Sequence, residues 1–111
     1  MEVFAGVTVD EHEIEERFVR AVGTAGQNRR HRATAVELRL NLHAVTLPLE
    51  VRQRLSELGG KHVTREGVLL IVSRKYRSQA RNRAAARGTL HALLQKAFEP
   101  PTLSDLQGHE K

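Results

Sequence analysis

The chain of 111 residues contains no cysteine and no tryptophan, and only one tyrosine, three phenylalanines and three prolines. Without cysteine there is no disulfide framework and no thiolate metal site, and such a chain suits a reducing compartment. With so few aromatics the core has to be built from Leu, Val, Ile and Ala. No apolar run approaches the length of a membrane span. The N-terminal stretch carries acids where a secretory signal would carry a basic and then an apolar segment. The six histidines show no ligand spacing, such as two on one helix face with a third partner, so no metal or other cofactor is expected. Also absent is any Ser/His/Asp set or carboxylate pair that would point to self-contained hydrolysis.

What the chain does have is segregated charge. Residues 1–16 hold six acids and no Lys or Arg, and residues 67–98 hold seven Lys or Arg and no acid. The formal net charge of +5 therefore understates the local field. That field suits phosphate-rich partners through electrostatics and counterion release. The same cations, among them Arg74, Lys75, Arg77 and Arg81, also suit a merely solvated helix face.

The length fits one domain with a modest core. Residues 1–13 read as an acidic lead-in, irregular or weakly paired. Residues 14–22 form a strand candidate, with Ile14, Phe18 and Val22 on one face. Residues 34–42 alternate cleanly: Val36, Leu38, Leu40 and Leu42 point one way, Glu37, Arg39 and Asn41 the other. A helix is expected to start near Thr46 as cap, with Pro48 in its first turn. Its stripe is Leu47, Val51, Leu55 and Leu58, and Gly59-Gly60 stops it. Val68 to Val72 is apolar throughout and reads as a central strand covered on both faces. A longer helix spans 78–98, with Ala86, Leu90, Leu93, Leu94 and Ala97 as its buried stripe. Gly88 weakens it by ~1 kcal/mol against Ala, and Arg83 falls on the buried sector, its stem expected to be covered and its head paired or snorkelling. Pro100-Pro101 ends it, and 99–111 is a short polar tail expected to be disordered. The predicted class is α+β: a small β-β-α-β-α sandwich, mainly antiparallel, with helices packed on the sheet.

Between the first two strands runs Gly23-Thr24-Ala25-Gly26-Gln27-Asn28, followed by Arg29-Arg30-His31-Arg32. A long connection of small residues, an uncharged amide and a cluster of cations is poorly suited to a core. It is well suited to bringing backbone close to something anionic.

Several separated segments, in order, resemble the catalytic domain of class I peptide chain release factors. They are Phe18-Val19-Arg20-Ala21, the 23–28 loop, Thr34-Ala35-Val36-Glu37-Leu38-Arg39, Gly67-Val68, Arg77-Ser78-Gln79 and Asn82-Arg83. Within that superfamily the chain is most similar to the small stand-alone ribosome-rescue peptidyl-tRNA hydrolases, of the alternative ribosome-rescue factor B type. The resemblance covers residues 14–98. It implies the β-β-α-β-α fold and hydrolysis of the ester joining a nascent peptide to tRNA, in the large-subunit active site of the ribosome. It implies catalytic positions at Ala25, Gly26 and Gln27, where the family has Gly-Gly-Gln. Asn28, Gly23, Arg20, Arg29, Arg30, His31 and Arg32 would contact substrate or ribosomal RNA. The partners it implies are the ribosome, peptidyl-tRNA and ribosomal RNA, with no membrane and a monomer off the ribosome. The compartment is a bacterial-type cytoplasm or an organelle.

Three departures stand out. Ala25 replaces the first motif glycine. Arg29 to Arg32 replace the short Asn-Val-Asn-Lys-like segment usual after the Gln. Residues 99–111 hold Glu99, Asp105 and Glu110 against Lys111, where stand-alone rescue factors carry a basic tail. There is no codon-recognition domain, so codon-independent action is expected. The alternative is a non-catalytic ribosome-binding or RNA-binding module with a degenerate motif. Tyr76 could stack on a base, the packed end of a strand being its expected place. Arg77-Ser78-Gln79 and Asn82-Arg83 read as architecture, holding the second helix against the sheet.

Overall fold

The alternation at residues 36, 38, 40 and 42 becomes the spine of the fold. In the computed structural model, which describes residues 1–4, 6–20 and 34–99, these side chains line one face of a strand and its exit and are all buried. Strand β4 is Ala35–Asn41, flanked by β3 (Ile14–Val19) and β5 (Val68–Ser73) in an antiparallel sheet of order β3-β4-β5. Phe18, Val36 and Ser73 share one row of the register. Glu16, Leu38 and Ile71 share the next, and Ile14, Leu40 and Leu69 the third. Directly paired residues point to the same side, so these rows form the inner face.

Both helices cover that face. Helix α2 (Gln79–Phe98) lies on β4 and β5, and α1 (Leu49–Gly59) packs on α2. The core joins Val36, Leu38, Leu40, Leu69 and Ile71 of the sheet to Val51 and Leu55 of α1 and Ala86, Leu90, Leu94 and Ala97 of α2. Each fully buried Leu contributes roughly 1.5–3 kcal/mol. At the end of α2, Arg54 Nε donates to the Ala97 carbonyl at 2.6 Å. This satisfies a carbonyl that a helix terminus leaves without an internal partner. Among the described residues no helix is long and apolar enough to cross a membrane.

Several expectations need correction. Strand β5 is an edge strand, and β4 is central. Leu69 and Ile71 are buried, but Val72 on the other side is 37% exposed. An apolar run reads as covered on both faces, yet among the described residues both helices lie on the inner face. Helix α1 starts at Leu49 after Pro48 and has no side-chain cap. The Thr46 backbone N–H instead donates to Glu13 Oε2 at 2.7 Å, a tie from a segment too distant in sequence to foresee. Leu58 is exposed, and the buried position beside it is Gly59. A Cβ on Gly59 would come within 2.8 Å of Leu69 and Val63, so this glycine serves close approach, and of the pair it is Gly60 that takes a positive φ (52°).

The lead-in is integral to the core. Strands β1 (Glu2–Phe4) and β2 (Val7–Thr8) pair antiparallel. Val3 and Val9 are buried in the common core. Gln95 Nε2 donates to the Val3 carbonyl at 3.1 Å, and Phe4 meets Phe98 edge to face. Strands of two and three residues are too short for alternation to register. The expected tail, beyond Glu99, lies outside the described residues, as does Val22.

Gly88 is exposed in the middle of α2, with open space where a Cβ would stand. Gly88→Ala is expected to stabilise the fold by about 1 kcal/mol. The check is a higher urea midpoint at unchanged slope.

Candidate functional site

The chain leaves the sheet at Val19 and returns at Ala35, the last pair in the β3–β4 register. Of the expected site residues, Arg20 is described and is exposed just past the end of β3. Gly23, Ala25, Gly26, Gln27, Asn28, Arg29, Arg30, His31 and Arg32 lie outside the described residues. What the structure defines is how the connection is held at its root.

That root is clamped by Asn82, in the first turn of α2 and completely buried. Its amide Nδ2 donates to the Thr34 carbonyl at 2.7 Å and to the Tyr76 carbonyl at 2.8 Å. Its Oδ1 accepts from the Tyr76 N–H at 3.0 Å and the Ser73 hydroxyl at 3.1 Å. Both amide protons and the carbonyl oxygen are thereby used, and the amide orientation follows from its partners. One side chain ties together the returning end of the loop, the end of β5, the 74–77 turn and the start of α2. The architectural role expected of Asn82 is what the structure shows. Sequence reasoning missed Thr34 and Ser73 as its partners. A signal did exist: Ser73 occupies an inward position of β5 where the alternation asks for an apolar residue.

The other motif residues also have local causes. Ser78 caps α2, its hydroxyl accepting from the Arg81 N–H at 3.2 Å. Gly67 closes the turn before β5 with φ +84°, and an added Cβ would collide with the His43 ring. Arg83 reaches across to β3, where its Nε donates to Glu16 Oε1 at 2.9 Å. Its side chain is 49% exposed, so the expected buried stem is not found; the pairing is.

Arg87 joins the same network, at 3.4 Å from Glu16 and also paired with Glu11. The Arg87 hydrogen bond, and next the N-terminal ammonium, hold the Glu11 carboxyl below its usual range. The N-terminal acids thus neutralise the middle of α2. Arg20, Arg74, Lys75, Arg77 and Arg81 form no ion pair among the described residues. All five sit at the end of the sheet where the loop departs. Tyr76 lies among them and is 42% exposed, not packed as expected. Among the described residues the aliphatic core reaches only as far as Val36 at this end of the sheet, and Tyr76 is not part of it.

A self-contained catalytic pocket is not evident among the described residues. The groove of about 450 Å³ lined by His12, Glu13, Glu15, Arg39 and Asn41 holds two carboxylates. Glu13 accepts from Thr46, while Glu15 pairs with Arg17 at 2.8 Å and Arg39 at 3.5 Å. No group of three or more metal-ligating side chains occurs among the described residues.

A rigid root presenting a loop rich in small residues and cations is the arrangement on which comparison with known proteins bears. The family model described as the RF-1 domain matches residues 2–107. That span takes in the β1–β2 hairpin and the whole loop. The chain is also 39% identical over 88 residues to the peptidyl-tRNA hydrolase ArfB of Pseudomonas putida, covering 79% of this chain. It spans 64% of the length of that relative. With its sheet, both helices and the intervening loop inside the matched region, the chain belongs to the RF-1 domain family.

Proposed function

We propose that this protein hydrolyses the ester between a nascent peptide and tRNA on the ribosome, rescuing stalled complexes without reading a codon. The observation that carries the reading is the Ala25-Gly26-Gln27 motif on a loop whose root Asn82 fixes to the sheet, in a chain of the RF-1 domain family. The relative named a peptidyl-tRNA hydrolase supports it.

The residue types suit the chemistry. A glutamine amide has essentially no basicity, so Gln27 works by donating and accepting hydrogen bonds. It orients the attacking water, and its backbone N–H stabilises the developing oxyanion. Gly26 and Ala25 let the backbone approach the end of the tRNA. Ribosomal RNA and the substrate's own hydroxyls supply the rest, which accounts for a chain without its own acid–base pair. Arg20, Gly23, Asn28, Arg29, Arg30, His31 and Arg32 contact substrate or ribosomal RNA. The protein is a monomer off the ribosome and acts in a bacterial-type cytoplasm.

The test is release of labelled peptide from purified stalled ribosomes, with and without a stop codon in the decoding site. Release at equal rates in both is expected. Ribosome binding with no release above background would favour the non-catalytic reading, for which Ala25 is the motivating feature.

A further inference from the structure

The acids of the first sixteen residues are not spread evenly over the cations. Glu11 and Glu16 take Arg83 and Arg87, while Glu15 takes Arg17 and Arg39. Of the cations without an acidic partner among the described residues, four stand together: Arg74, Lys75 and Arg77 in the turn between β5 and α2, and Arg81 in the first turn of α2. Tyr76 stands in their midst. The Arg81 guanidinium lies 5.3 Å from its ring centroid, a cation–π distance. The ring is well exposed, yet its backbone is fixed on both sides, because Asn82 bonds the Tyr76 N–H and carbonyl alike.

A fixed, exposed ring capped on one side by a guanidinium and ringed by unneutralised cations matches one ligand chemistry well. Single-stranded RNA offers phosphates to the cations and an unstacked base to the ring. Duplex RNA offers the phosphates alone, since its bases are stacked inside the helix. We propose that the 74–77 turn and Arg81 form a docking surface for a single-stranded RNA segment. Arg74, Lys75 and Arg77 lie along its phosphates, and the Tyr76–Arg81 pair stacks one unpaired base. The proposal deepens the ribosomal reading and rests on it for the identity of the RNA. Asn82 bonds both Tyr76 and Thr34, so RNA seated here sits one side chain away from the root of the catalytic loop.

Fluorescence anisotropy tests this with a labelled unstructured RNA of about ten nucleotides, within the usual site sizes, and a duplex of equal length, each titrated across salt. Tyr76→Ala is expected to weaken single-strand binding about tenfold, to leave duplex binding unchanged, and to be rescued by Tyr76→Phe. Replacing Arg74, Lys75 and Arg77 together by Gln is expected to reduce the slope of log K against log salt by about 2 for the single strand. A control that removes two cations elsewhere, Lys61→Gln with Arg65→Gln at the other end of β5, is expected to leave binding to both RNAs near the native level.

Equal loss on single strand and duplex for Tyr76→Ala, or a triple variant with the native slope, would overturn the proposal. Peptide release is scored separately. Release with no RNA effect of these variants removes the docking surface alone. The RNA effects without release keep the surface and remove the catalytic reading.

Discussion

Asn82→Ala is expected to destabilise the fold by about 3–5 kcal/mol, a large fraction of the ~5–15 kcal/mol typical of a domain. The change strands the Thr34 carbonyl, the Tyr76 N–H and carbonyl, and the Ser73 hydroxyl. A buried group left without a partner costs roughly 1–3 kcal/mol. The Tyr76 groups lie nearer the surface and recover some hydration, so the sum falls short of four full penalties. Urea unfolding followed by circular dichroism measures the loss. Asn82→Asp is the sharper variant, because it keeps the shape and removes both donors. A carboxylate oxygen then faces the Thr34 and Tyr76 carbonyls, and the cost should equal or exceed that of alanine. An Asn82→Asp protein as stable as the native chain would refute the clamp.

The second large effect concerns Ala25. If the active loop takes a left-handed conformation at the first motif position, a methyl there costs about 1–2 kcal/mol. Charged against the barrier, this is a factor of roughly 5–30 in rate. Ala25→Gly is therefore expected to accelerate single-turnover peptide release by that factor, with ribosome affinity unchanged. An unchanged rate would show that the methyl is accommodated without strain in the reacting complex. It would also remove the main reason to regard the motif as degenerate.

Much of the scaffold was legible where one face of an element is buried and the other is wet. The alternation of β4 and the Ala86, Leu90, Leu94 and Ala97 stripe of α2 carry that asymmetry directly. The reading of β5 failed because a run of five apolar residues carries no asymmetry, and the outer face left open could not be seen from it. Thr46 and Leu58 failed for a different reason. The Thr46 N–H found Glu13, and Gly59 lies buried against Leu69 and Val63 while Leu58, expected on the apolar stripe, is exposed. Contacts between distant segments decided both.

The site divides in the same way. Its motif is a pattern of residue types and was readable. That Asn82 would hold Thr34, or that Arg83 would meet Glu16, depends on the register of β3 against β4 and on where α2 crosses them. Ser73 was the one local hint, a polar residue at an inward position. Tyr76 was misjudged because a lone aromatic at the end of a strand usually packs, whereas here the core stops short of it.

The central claim is that the Gln27 amide, presented by a loop fixed at Thr34, promotes hydrolysis of peptidyl-tRNA. It is tested most directly by single-turnover release from stalled ribosomes with the native chain and Gln27→Ala side by side, binding being measured in the same samples. The account predicts release by the native chain and a loss of at least about 100-fold for Gln27→Ala, the scale of removing a transition-state hydrogen-bond donor, at equal ribosome occupancy. Equal release by the two proteins would contradict it.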